Sequence, residues 1–201
     1  MSKKKNNTSD ELLRELLENF RNMDYVHPED IPNIDLYVDQ MTTSLEKELA
    51  KTKRYPEDKT ITKTMINNYS KNHILPPPEK KKYTQDHMIL LVFLYYLKNI
   101  ISIKDIQSIF EPMIATYFGK EESLTFMDIY NELVSLENEQ AKQLMRDIYK
   151  KYSTTQSAFT DAPEEEQEHL RRFTFICMLA FDIYIKKSML ESMIDFSEKD
   201  K

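Results

Sequence analysis

Gly119 is the one glycine in a chain of 201 residues. Glycine takes positive φ without steric cost, so tight hairpin turns and phosphate-cradling loops depend on it. Its near absence, beside 10 Phe, 12 Tyr and 11 Met, argues against sandwiches, barrels, P-loops and Rossmann sites. It predicts an all-α protein with almost no backbone free for left-handed turns. At 40% hydrophobic and 31% charged residues, the chain can bury a sizeable core in one or two domains. Cys177 is the single cysteine, which permits neither an internal disulfide nor a cysteine-based zinc cluster and suits a reducing cytoplasm.

The basic start, MSKKKNNTSDELL, has no apolar run behind it, so it reads as neither a signal peptide nor an anchor. The longest apolar stretches, Met88 to Leu97 and Phe173 to Ile185, fall short of the ~20 residues that a membrane-spanning helix needs. No membrane partner is expected.

Apolar spacing and caps divide the chain. A polar lead to Ser9 precedes a helix from Asp10 to about Met23, and Pro28 and Pro32 then break the chain. Asn33 caps a second helix reaching Ala50, and Thr60 or Thr62 caps a short one ending near His73. Pro76-Pro77-Pro78 forbids its continuation, because proline lacks the amide donor and clashes with the preceding turn. Thr84 opens a helix to about Asn99, Ser102 with Asp105 one to Tyr117, and Thr125 with Asp128 a long one to Tyr152. Gly119 closes the helix that ends at Tyr117. A final helix runs from Glu164 to about Asp195 with an acidic first turn that complements the helix dipole. The expected domains are a tail and helix over 1–32, a helix-turn-helix unit over 33–118 and a C-terminal helical region over 119–201.

The formal net charge of −6 conceals a segregation. Between Lys51 and Tyr83 nine cations meet three anions, so this segment carries +6 and the rest of the chain −12. A basic surface on an acidic body is the distribution of a protein that turns one face to phosphates. Rotation at 100° per residue sets Ile61, Met65, Ile66, Tyr69 and His73 on the inner side of the short helix. Lys63, Thr64, Asn67, Asn68 and Lys71 lie on the other side, a face of amides, hydroxyl and ammonium with no carboxylate. Asn can bond adenine through two hydrogen bonds, Thr can reach a base edge or a phosphate, and Lys neutralises phosphate. Lys80, Lys81 and Lys82 follow directly after the prolines.

These residues resemble the DNA-binding domain of the MerR family. Its recognition helix reads roughly T-L-R-Y-Y-E, ends in G-L-L-P, passes a basic wing with R-x-Y and enters a helix starting S/T-E-E-D-L. Met65-Ile66 stand at Thr-Leu, Tyr69 at the second Tyr, Ile74-Leu75-Pro76 at Leu-Leu-Pro and Lys81-Lys82-Tyr83 at R-x-Y. Thr84-Gln85-Asp86-His87-Met88 matches the next helix start, and Leu97 to Ile106 looks like L-R-x-L-G-F-S-L-x-E-I without its glycine. Asn67 and Asn68 replace Arg and Tyr, His73 replaces Gly, and the connection ahead of the recognition helix is longer than the family's, closer to a branch of MerR-like bacterial proteins other than the metal sensors.

The resemblance implies a winged helix-turn-helix and a transcriptional regulator of double-stranded DNA, with Lys63, Thr64, Asn67, Asn68 and Lys71 in the major groove and Lys80, Lys81 and Lys82 on phosphates. The rival is a protein-interaction adaptor on the same scaffold.

No catalytic constellation, cofactor motif or effector site emerges. His27, His73, His87 and His169 are scattered, which gives no metal site. Glu164-Glu165-Glu166 reads as a helix start, and Cys177 as a buried small hydrophobe. From Phe173 to Ile185 the last helix is apolar nearly all round. It is either the centre of a bundle or half of a homodimer interface, with Phe173, Ile176, Leu179, Ala180, Ile183 and Met189 as the belt.

Overall fold

A computed structural model describes residues 26–120 and 124–199, with Leu13, Leu17 and Glu18 ahead of them. The expected helix from Asp10 to Met23 lies outside the described residues except at those three positions, which are helical. The described chain is mostly helical, as its composition requires. It forms β1 (Leu36–Tyr37), α1 (Val38–Leu49), α2 (Lys63–Lys71), β2 (Lys82–Tyr83), α3 (Gln85–Leu97), α4 (Ile103–Tyr117), α5 (Phe126–Gln156) and α6 (Glu164–Lys199). Two compact units result. One comprises Tyr25–Ser135 with Leu190–Lys201, the other Leu136–Met189 with Met1–Asp24.

In the first unit α3 is the central element. His87, Met88, Ile89, Leu90, Leu91, Val92 and Leu94 are buried on every side of it, which explains an apolar run with no polar face. Met41, Leu45 and Leu49 of α1, Ile66 of α2, Ile106 and Phe110 of α4, and Phe126 and Tyr130 of α5 join the same core. Tyr130 donates its hydroxyl to the Val26 carbonyl at 2.5 Å, so the buried ring keeps a partner for its polar tip.

Three caps sit where the sequence sets them. Thr62 Oγ1 accepts from Met65 N at 3.2 Å. Ser102 and Asp105 bond each other's backbone amides, and Thr125 and Asp128 do the same. Gly119 follows α4 at φ +68° and donates its amide to Asp86 Oδ2 at 2.8 Å.

Three expectations change. Asn33 does not cap a helix: the chain runs extended through β1 and α1 starts at Val38, where the Tyr37 amide donates to Gln40 Oε1 at 2.9 Å. Left-handed backbone also occurs without glycine, at His73, Lys80, Lys81 and Phe159. Cys177 is exposed rather than buried.

In the second unit Tyr152 of α5 meets Phe175 of α6 edge-on at 5.5 Å between ring centres, and Lys151 bridges to Asp182 at 2.9 Å. Arg171 donates to the Ala158 carbonyl and tethers the connection between the two helices. The long helix is not enclosed as a bundle centre: Phe173, Ile176, Phe181, Ile183 and Tyr184 are exposed.

Candidate nucleic-acid interface

The outer face of α2 is as the helical rotation requires. Ile66 is fully buried and Ile61 nearly so, while Lys63, Thr64, Asn67, Asn68 and Lys71 are all exposed. His73, expected on the inner side, is exposed because α2 ends before it. The helix closes with a two-bond C-cap in which Ile74 N donates to the Tyr69 carbonyl at 2.9 Å and His73 N to the Ser70 carbonyl at 3.2 Å. That cap requires a left-handed residue at its hinge, and His73 supplies it at φ 56° in place of the usual glycine.

The chain then drops Ile74 and Leu75 into the core and turns outward through the prolines. Lys82 N donates to the Glu79 carbonyl at 2.8 Å, and Lys80 and Lys81 between them stand at φ 50° and 68°. Two left-handed central residues make a turn of the sense that suits a right-twisted hairpin. Lys80 and Lys81 are therefore both exposed at its tip. Each non-glycine residue in this conformation costs about 1–2 kcal/mol, so the turn stores strain at the point where its charge projects.

β2 returns to pair antiparallel with β1, Leu36 opposite Tyr83 and Tyr37 opposite Lys82. Lys82 is only partly exposed and its ammonium stands 5.9 Å from the centre of the Tyr37 ring. It differs in this from Lys80 and Lys81, which stand clear of the sheet.

His87 ties together the two ends of the segment that carries this turn. Its Nδ1 accepts from Thr84 N at 3.0 Å, which leaves Nε2 to donate to the Pro76 carbonyl at 3.2 Å. The ring packs edge-on against Tyr83 and Phe118. Burial pushes its pKa down to about 4, so the imidazole is neutral at physiological pH.

The long connection from Ala50 to Thr62 is held rather than free. Glu46 accepts from Lys53 and, at 2.6 Å, from the buried Thr60 hydroxyl. Those two hydrogen bonds, Lys53 first, hold the Glu46 carboxyl below its ordinary range. Lys98 donates to the Thr60 carbonyl at 3.0 Å, and Thr52 and Tyr95 share a hydroxyl hydrogen bond of 2.5 Å. Burial lowers the Lys98 pKa. The start of α2 is thereby tied to both α1 and α3.

Tyr37 and Asp39 were not singled out from the sequence, yet both border this surface. Tyr37 is half-exposed beside Lys82, and Asp39 accepts from Lys63 at 3.1 and 3.4 Å. The signal available for them was the alternation Ile34-Asp35-Leu36-Tyr37 followed by Gln40 three residues on, a strand entering a capped helix. Among the described residues no group of three or more His, Cys, Asp and Glu side chains could hold a metal ion. No helix among them is long and apolar enough to cross a membrane.

A helical unit with a two-stranded sheet, one polar helix face and a lysine-tipped turn is thus the class of structure in hand. Residues 26–133 match the family described as a domain of unknown function, DUF1836, and the chain belongs to that family. No curated protein and no solved structure matches the chain.

Proposed function

We propose that this protein is a sequence-specific regulator of transcription that binds double-stranded DNA in the cytoplasm as a homodimer, and that it is a binding protein rather than an enzyme. α1 and α2 act as a MerR-like helix-turn-helix: α2 enters the major groove, where Asn67 and Asn68 read bases, Thr64 contacts a base edge or phosphate, and Lys63 and Lys71 meet phosphates. The turn at Glu79 to Lys82 is the wing, with Lys80 and Lys81 on flanking phosphates. Lys82 supports the wing against Tyr37 and lends its charge from behind.

The observation that carries this reading is the exposed face of α2, which presents five polar or cationic side chains without a carboxylate among them. The strained lysine turn that follows α2 in the chain adds support, since costly backbone is retained where it serves a site. A second reading, an adaptor that binds another protein, draws on the open apolar face of α6.

Salt separates the two. On a genomic fragment library the regulator binds duplex DNA with an affinity that falls steeply as salt rises, because each neutralised phosphate releases counterions. No binding even at low salt would leave the adaptor.

A further inference from the structure

We infer that α6 pairs antiparallel with α6 of a second copy through the part of its surface that the second unit leaves open. The inference deepens the homodimer of the preceding reading and does not depend on DNA binding. Between Glu166 and Lys187 the residues Phe173, Ile176, Ala180 and Ile183 recur at steps of three and four, the spacing of a two-helix seam. They stand opposite the half-buried Phe175, Met178 and Asp182 that pack within the unit. Phe173 is 60% exposed, Ile176 56% and Ile183 66%, values that a stripe of this length does not show unless something covers it. Leu179 is half-buried and flanks the stripe.

The occupant follows from the ends of the stripe. Its N-terminal end is acidic, with Glu165 and Glu166, and its C-terminal end is basic, with Lys186 and Lys187. A parallel pair would set lysine against lysine and glutamate against glutamate. An antiparallel pair about a twofold axis between Ile176 and Cys177 sets Glu166 of each copy opposite Lys187 of the other. The same register places the large Phe173 opposite the small Ala180, so that bulk meets space on both sides of the axis. One surface then complements itself in charge and in shape, as an isologous interface requires. Antiparallel helix dipoles add to the fit. Exposed Cys177 falls beside the axis and serves as a built-in reporter.

Light scattering and sedimentation equilibrium on the full chain, without DNA, test this. A dimer is expected at micromolar concentration. Ile176→Asp, at an exposed position and with an unchanged helical circular dichroism spectrum, should leave one chain of 24.0 kDa. Glu166→Lys and Lys187→Glu should each weaken association roughly tenfold, since each change places like charges at two symmetric points, and the two together should restore it. A short bismaleimide should link the wild-type chain through Cys177 and fail on the Ile176→Asp variant. A monomer at all concentrations overturns the inference. So does a dimer indifferent to the charge substitutions, the behaviour of a parallel pair, in which each residue still faces its own kind. Fragment binding by the Ile176→Asp monomer is scored separately, so loss of the dimer and loss of the DNA reading remain distinguishable.

Discussion

Burial holds the His87 imidazole near a pKa of 4, against 6.5 for the free side chain, while its two nitrogens bind Thr84 and Pro76. Between those pH values the unfolded chain takes up a proton that the folded chain refuses. His87 therefore contributes fully above about pH 6.5, and its contribution is lost as the pH falls toward 4, by roughly 3 kcal/mol at the lower end. Urea titrations should show that fall, and His87→Gln should lack this component when the two pH profiles are subtracted; identical profiles would show that the buried neutral ring does not govern it. Asp39 acts in the opposite sense on function. Its bond to Lys63 is exposed and worth little to stability, but its carboxylate draws a cation away from the α2 face. Asp39→Asn should change the unfolding midpoint negligibly and raise DNA affinity about three- to tenfold at low salt, a gain that shrinks as salt screens it. Capping at Thr62, Ser102 and Thr125 was legible in the sequence because each cap acts over three residues. His73 was marked only by the MerR resemblance, which sets it at a glycine position; its left-handed hinge is imposed by Ile74 and Leu75 entering the core.

At the level of elements, the prolines and lysines announced a break between α2 and α3, and helical rotation separated the two faces of α2. β1 was missed because the short alternation from Ile34 to Tyr37 is outweighed by the helical spacing of Ile34, Val38, Met41 and Leu45, and its partner β2 lies more than forty residues away. The extended run of Leu36 and Tyr37 makes sense only once β2 offers its backbone groups. The wing turn itself reversed an expectation drawn from glycine scarcity, because Lys80 and Lys81 accept left-handed φ that glycine would take freely. The pair Lys80→Asn with Lys81→Gly, the residues such a turn favours, should relieve strain and raise stability by about 1 kcal/mol. On the proposed reading the same change removes two phosphate contacts, so the slope of log affinity against log salt should fall by about 2. A stability gain with unaltered salt dependence would remove Lys80 and Lys81 from the DNA surface.

On the scale of the whole molecule, helical class followed from composition, and the core of the first unit from apolar spacing. Two apolar runs that look alike in sequence diverge in the structure: Met88 to Leu97 is enclosed as α3, whereas Phe173 to Ile185 keeps a face open on α6. Hydropathy reports that a side chain avoids water, not whether its cover comes from the same chain, so only the folded chain distinguishes them. A dimer through α6 would give one molecule two copies of the α2 face, which suits recognition of two half-sites. In the proposed complex α2 reads sequence while Lys80 and Lys81 supply charge. Selection of bound genomic fragments by the wild type, Asn67→Ala, Asn68→Ala and Lys81→Ala tests it most directly. The expected result is that each Asn variant loses about 1–3 kcal/mol of discrimination at a particular base position, while Lys81→Ala weakens all fragments alike and keeps the wild-type preference. Asn variants that select the same fragments as the wild type, with undiminished preference, would contradict it.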